Sequence, residues 1–210
     1  MENLLLCLAF SLLGGVDSEP KATRMLDGLS ASYEKMGGFE LQFRYELEFD
    51  GRVEPSQTGK LWSKGDLYRL ELPDLELYCD GKNQYAHLKK NKEIQISRPD
   101  PSDRRYHPAT LARIHESGKF EYRILSERND KNPLSVIEFK PQNSSDPIFK
   151  ILLHISEPNS RIVKVQWFEK SGRRTTVHFE RTHPRNFDSG FFAPDLDSMP
   201  GIHVEDLRED

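Results

Sequence analysis

The chain has 210 residues, of which 36% are hydrophobic and 30% charged, and its formal net charge is -4. That length fits one large domain or two small ones, and the slightly acidic balance excludes the basic field that nucleic-acid binding requires. With 12 Phe, 7 Tyr and 2 Trp, the sequence carries too many aromatics for a disordered chain.

The N-terminus opens on an apolar run, Leu4 to Val16, broken only by Ser11. It is shorter than the roughly 20 residues of a membrane-spanning helix and suits the hydrophobic region of a secretory signal. Cleavage after Ser18 is expected, giving a signal peptide over 1–18 and a single domain over 19–210. Cys7 leaves with the signal and only Cys79 remains, so no internal disulfide is expected in the mature chain. Leu6 stands before Cys7 where lipoprotein signals want a small residue, which argues against acylation there.

Ala22 to Met36 places Met25, Leu26, Leu29, Tyr33 and Met36 at helical spacing, and Gly37-Gly38 ends the helix. From Phe39 to Phe49, Phe and Leu and Tyr alternate without a fault with Glu, Gln and Arg, the mark of a long strand with one apolar and one wet face. Gly59 to Lys82 reads as three short strands. Gln84 to Leu88 and Glu93 to Ser97 form a hairpin around Lys89–Lys92. Pro108 to Ser117 is expected to be a second helix, with proline in the first turn and Gly118 as the stop. Six further strands are expected at Phe120–Leu125, Leu134–Phe139, Ile148–Ile155, Ile162–Glu169, Arg174–Glu180 and Gly201–Leu207, separated by turn signals such as Asn132-Pro133 and Ser171-Gly172. Strands at this spacing imply an antiparallel barrel or sandwich.

Enzyme signatures are absent: no GxSxG elbow, no phosphate-binding glycine loop, no dinucleotide fingerprint and no HExxH. No enzymatic activity, metal or cofactor is expected. The seven histidines are scattered, and His154 with His178 make too small a set for a metal. Cys79 reads as a small buried residue. Arg104-Arg105 and Arg173-Arg174 read as solvated charge. What remains is a long sheet with an aromatic-rich face and two modest helices to cover it. Such a sheet either closes on itself as a sandwich or curls around a space that takes an apolar ligand.

Five segments in order resemble the LolA family, the periplasmic carriers of outer-membrane lipoproteins, and in spacing most of all the versions from the Bacteroidota. They are TGKLWSKGDLYRLELP, YCDGKNQYAHLKKNKEIQIS, HPATLARIHESGKFEYRI, KVQWFEKSGRRTTVHFE and FFAPDLDSMPGIHVEDLRE, and the likeness covers about Ala22 to Leu207. Gln84-Tyr85 stands where the family often has tryptophan.

The resemblance implies an incomplete, strongly curved antiparallel β-barrel of about eleven strands, with short α-helices as a lid over an apolar cavity. It implies a monomeric, non-catalytic carrier in the periplasm. Its partners would be acylated lipoproteins, an inner-membrane ABC exporter and, where present, an outer-membrane acceptor. Arg69 would be the lid latch, its five donors taking several helix carbonyls at once. Leu41, Phe43, Tyr45 and Leu47 would line the acyl-chain cavity, together with Trp62, Leu111 and Ile114. The alternatives are a lipid- or lipoprotein-sensing regulatory module of the same fold and an outer-membrane acceptor lipoprotein, the second of which would need Cys7 acylated.

Overall fold

The computed structural model describes residues 20–100, 107–128, 133–157 and 160–208. The expected signal, Cys7 and Arg104-Arg105 lie outside these residues. Helix α1 (Pro20–Met36) leads into β1 (Gly38–Phe49) through Gly37, whose φ of 67° is the left-handed conformation that ends a helix. The strands β2 (Arg52–Val53), β3 (Gln57–Lys64), β4 (Leu67–Glu71), β5 (Leu75–Cys79), β6 (Gln84–Leu88) and β7 (Glu93–Ser97) follow. After α2 (Pro108–Ala112) come β8 (Phe120–Arg128), β9 (Leu134–Pro141), β10 (Ile148–Ser156), β11 (Arg161–Glu169), β12 (Arg173–Pro184) and β13 (His203–Asp206).

All thirteen strands belong to one sheet, in the order β13-β7-β6-β5-β4-β3-β1-β12-β11-β10-β9-β8, with β2 paired to β1 alone. Each junction is antiparallel except β13 on β7, which is parallel. The two outer strands, β8 and β13, do not meet, so the sheet is a curled, incomplete barrel with a helical lid. The strand count exceeds the expected eleven or so, and one surplus piece is the two-residue β2, too short to leave a pattern in the sequence. The expected second helix splits. Only Pro108–Ala112 is α-helical, and Ile114–Ser117 is a 3-10 turn ended by Gly118 at φ 63°. Its few apolar positions give a longer helix little to bury.

The alternation of β1 sets the two faces of the sheet. Tyr45, Val177, Val165, Leu153, Ile137 and Ile124 form one continuous inward row across six strands. Leu47, Thr175, Trp167, Ile151, Phe139 and Tyr122 form the next. Helix α1 lays Ala22, Leu26, Leu29 and Tyr33 into the half of the concave face built by β8 to β11. The other half, between β12 and β5, is not filled by helix. That division of labour positions the site.

Candidate functional site: an apolar cavity in the curled sheet

An apolar cavity of about 290 Å³ occupies the uncovered half of the concave face. Its walls are Leu41, Phe43, Tyr45 and Leu47 from β1, Leu61 from β3, Tyr68 and Leu70 from β4 with Leu72 just beyond it, Leu77 from β5, and Arg173, Thr175, Val177 and Phe179 from β12. His107, next to α2, closes the inner end. The alternation of each strand fixes this set, because Leu41, Leu61, Leu70 and Leu77 are successive register partners and therefore face the same way. Exposure climbs along β1 from 1% at Leu41 through 9% at Phe43 to 53% at Phe49. The cavity is thus closed at the His107 end and opens at the far end of β1.

One glycine shapes the wall. Gly59 pairs with Phe43, and a Cβ on it would lie 2.4 Å from the Phe43 ring and 2.9 Å from the Glu71 carbonyl oxygen. The Phe43 ring therefore lies over the space that a side chain at 59 would take.

The inner end carries buried polar groups. His107 Nε2 is 2.8 Å from the Ser63 hydroxyl, and both residues are buried. The Ala109 amide donates to His107 Nδ1 at 3.3 Å, which caps α2. An imidazole accepting at Nδ1 holds its proton on Nε2 and donates it to Ser63, the opposite tautomer from a base that would activate the hydroxyl. The pair fastens the lid to β3. At the open end, the Tyr45 hydroxyl donates to Gln57 Oε1 at 2.8 Å. Burial, then the carboxylates of Asp74 and Glu54, raise its pKa.

Leu41, Phe43, Tyr45 and Leu47 are thus brought together on one wall, and Trp62, Leu111 and Ile114 are not part of it. Leu111 is buried on the inner side of α2, and Ile114 packs beside it against the core. Trp62 lies on the outer face, since its register partners are Glu40 and Arg69, and its neighbour Leu61 takes the cavity position. It packs with Phe187 and Phe192 of the C-terminal segment, with Phe191 beside them.

Arg69 requires a correction. It faces outward too, while Tyr68 and Leu70 on either side point into the cavity. Its guanidinium stands 5.3 Å from the Trp62 ring, 4.9 Å from Tyr78 and 5.4 Å from Phe191, with Glu76 at 3.7 Å. It sits across the sheet from the lid helices, so the expected latch to their carbonyls is not formed. Arg69 instead holds the C-terminal segment against β3, β4 and β5. Glu76 is the hub beneath it, accepting from Tyr78 at 2.5 Å and pairing with Lys89 at 3.2 Å. Burial pushes the Glu76 carboxyl up, but the Tyr78 and Lys89 hydrogen bonds and the nearby cations outweigh that and leave it below the ordinary range. The lid is joined to the sheet by His107–Ser63 and by Thr23–Tyr122 at 3.1 Å, and within the lid Arg113, between α2 and the 3-10 turn, pairs with Glu34 of α1 at 3.4 Å and His115 of the turn with Asp27 at 3.0 Å.

The remaining candidates stay apart. His154 on β10 and His178 on β12 are separated by Lys164 of β11, the register partner of both. Burial, then Lys164, pushes the His154 imidazole down to about 4. Among the described residues no three His, Cys, Asp or Glu gather as a metal site. Cys79 is buried and forms no disulfide among the described residues. Leu61, Leu70, Leu77, Val177 and Phe179 were missed from the cavity. The signal for them was present as parity along their strands, but it becomes legible only once the pairing register with β1 is fixed.

No family model matches this sequence, and no curated protein does. Among solved structures, the chain is similar to an uncharacterized conserved protein from Thermus thermophilus, with a TM-score of 0.59 at 11% identity over 90% of this chain and 99% of that one. It is also similar to a LolA superfamily protein from Nitrosomonas europaea, with a TM-score of 0.46 at 15% identity over 83% of this chain and 98% of that one. The likeness to the Thermus protein shows the fold, and the second structure is more distant.

Proposed function

We propose that the protein is a periplasmic carrier of the LolA type, which takes the acyl chains of a lipoprotein from the inner membrane into its cavity and hands them on toward the outer membrane. The observation that carries this reading is the cavity itself: a wall of leucine, valine and aromatic side chains, open at one end, inside a sheet that could have packed shut. Leaving such a wall unfilled forgoes burial worth about 25 cal/mol per Å² of apolar surface, which a ligand then recovers at about 0.8 kcal/mol per methylene. The work is binding, and no chemical step is assigned to it.

The volume constrains the mechanism. About 290 Å³ is at the floor of the range for small-molecule sites, roughly 300–1,000 Å³. Cargo with several acyl chains needs more room, so loading includes movement of α1 and α2 away from the sheet. The ties Arg113–Glu34 and His115–Asp27 are partly exposed, and pairs of that kind are worth about 0–1 kcal/mol each. These pairs join α1 to the α2 end of the lid, whereas the sheet holds the lid through buried Leu26, Leu29 and Tyr33 and the His107–Ser63 bond, and the lid's population shifts when cargo replaces those contacts. The same contacts keep the empty state competitive, so the cargo can leave.

The test is release from membranes. Inner-membrane vesicles with their ATP-driven lipoprotein exporter are incubated with the protein, and the supernatant is assayed for a soluble complex by size and acyl-chain mass. The expected result is a stoichiometric complex with the wild type and at least tenfold less with Leu70→Asp, which puts a carboxylate into the half-buried cavity wall. No release by folded protein with a matching exporter contradicts the carrier and favours a sensing module.

A further inference from the structure

The cavity wall contains one permanent charge, Arg173, and it stands at the open end. Its neighbour Arg174 shows what an engaged arginine looks like here. Alternation turns Arg174 to the outer face, where it pairs with Glu48 at 2.9 Å and lies 4.8 Å from the Phe168 ring. Arg173 turns inward and has no comparable partner. Its side chain is 58% exposed, and its ion pair is with Glu169 at 4.0 Å, the outer limit of such a contact. Toward the opposite rim stand Glu54 and Asp74, whose fields reach the Tyr45 hydroxyl, and Lys89, whose ammonium donates to the Leu72 carbonyl at 3.1 Å and pairs with Glu76 at 3.2 Å. Asp74 is already paired with Lys90 at 2.7 Å. The cations of the opposite rim are thus engaged, and the under-used guanidinium is on the β12 side.

We propose that Arg173 is a head-group residue, and that the cavity takes an amphiphile whose acyl chain lies along Leu47, Tyr45 and Val177 while its anionic head meets the Arg173 guanidinium at the mouth. This rests on the reading of the cavity as an acyl-chain site and adds an anionic group beside the chain, which the neutral ester and amide linkages of a lipoprotein's acyl chains do not themselves supply. The chemistry is the bidentate match of a planar guanidinium to phosphate or carboxylate oxygens. Lys89 and Lys90 across the mouth are taken up by Glu76 and Asp74, so the head goes to Arg173 on the β12 side. Glu169 is the competitor that the head displaces.

The experiment compares three soluble amphiphiles with the same chain, each below its micelle concentration: dodecyl phosphate, dodecyl maltoside and dodecyltrimethylammonium. Affinities are measured by calorimetry on the wild type, Arg173→Gln and Glu169→Gln. Both substitutions are on exposed or rim side chains, and circular dichroism checks the fold. The expected result is dodecyl phosphate binding about fivefold tighter than dodecyl maltoside, equivalent to about 1 kcal/mol, with the ammonium weakest. Arg173→Gln abolishes the difference by weakening dodecyl phosphate more than dodecyl maltoside, and Glu169→Gln widens it. Equal binding of all three, or a preference that survives Arg173→Gln, overturns the head-group assignment and leaves the carrier reading standing. Binding of none overturns the cavity reading and this inference with it.

Discussion

Arg69 and Gly59 are the residues on which small changes say most. Arg69 is buried enough to be desolvated on three aromatic rings, and cation–π contacts in that setting are worth up to about 2 kcal/mol. Arg69→Leu therefore lowers stability by about 1–2 kcal/mol, measured by urea unfolding. It also speeds proteolysis within the segment Ser189–Phe192, which the guanidinium holds through Phe191. Acyl-chain loading stays unchanged, because the residue is on the far side of the sheet from the cavity. A loading defect with stability intact would instead return Arg69 to the lid. Gly59→Ala acts on the other face. A methyl at 2.4 Å from Phe43 and 2.9 Å from backbone cannot be absorbed in place, so the Phe43 ring is driven into the cavity. The expected cost is about 1–3 kcal/mol of stability, with ligand affinity falling by at least as large a factor as in Leu70→Asp. Wild-type affinity in Gly59→Ala would show that Phe43 is not a wall.

The elements divide into those the sequence spells out and those it does not. β1 was legible to the residue, since eleven residues of strict alternation admit one face assignment, and the structure uses that face as cavity wall. β3 was not. Leu61 and Trp62 are both apolar and adjacent, so parity alone leaves the inward position open, and only the register with β1 selects Leu61. The outward position is bulky because the C-terminal segment returns to cover it, a contact between residues far apart in the chain. The same distance hid the role of Arg69. His107 was hidden for another reason: in a polar connector, nothing marks a histidine as a buried cap. At this scale the lid makes its own prediction. Arg113→Ala with His115→Ala removes both of these polar ties to α1. The double variant costs at most about 2 kcal/mol, increases hydrogen exchange in α1 relative to β10 and β11, and retains cargo longer, because the empty closed state has lost its advantage. Exchange rising equally in all elements would mean the lid is not a separate unit.

Over the whole molecule, the sheet is the device. Among the described residues thirteen strands curl without closing, and one long α-helix covers only half the concave surface. A sandwich would have buried that surface against a second sheet. The sequence left barrel and sandwich open, because alternation reports that one face is apolar and not what lies against it. On the proposed reading, the uncovered half receives acyl chains. The most direct test of that reading uses the alternation of β1. A photoreactive benzoyl-phenylalanine is placed at Tyr45, on the cavity wall, or at its neighbour Glu46, on the outer face. Each protein is irradiated with an acylated lipopeptide and with its deacylated form, and adducts are mapped by mass spectrometry. The expected result is an adduct on the acyl chain from position 45, none from position 46, and none with the deacylated peptide. Equal labelling from both positions, or labelling that ignores the acyl chain, would contradict the reading.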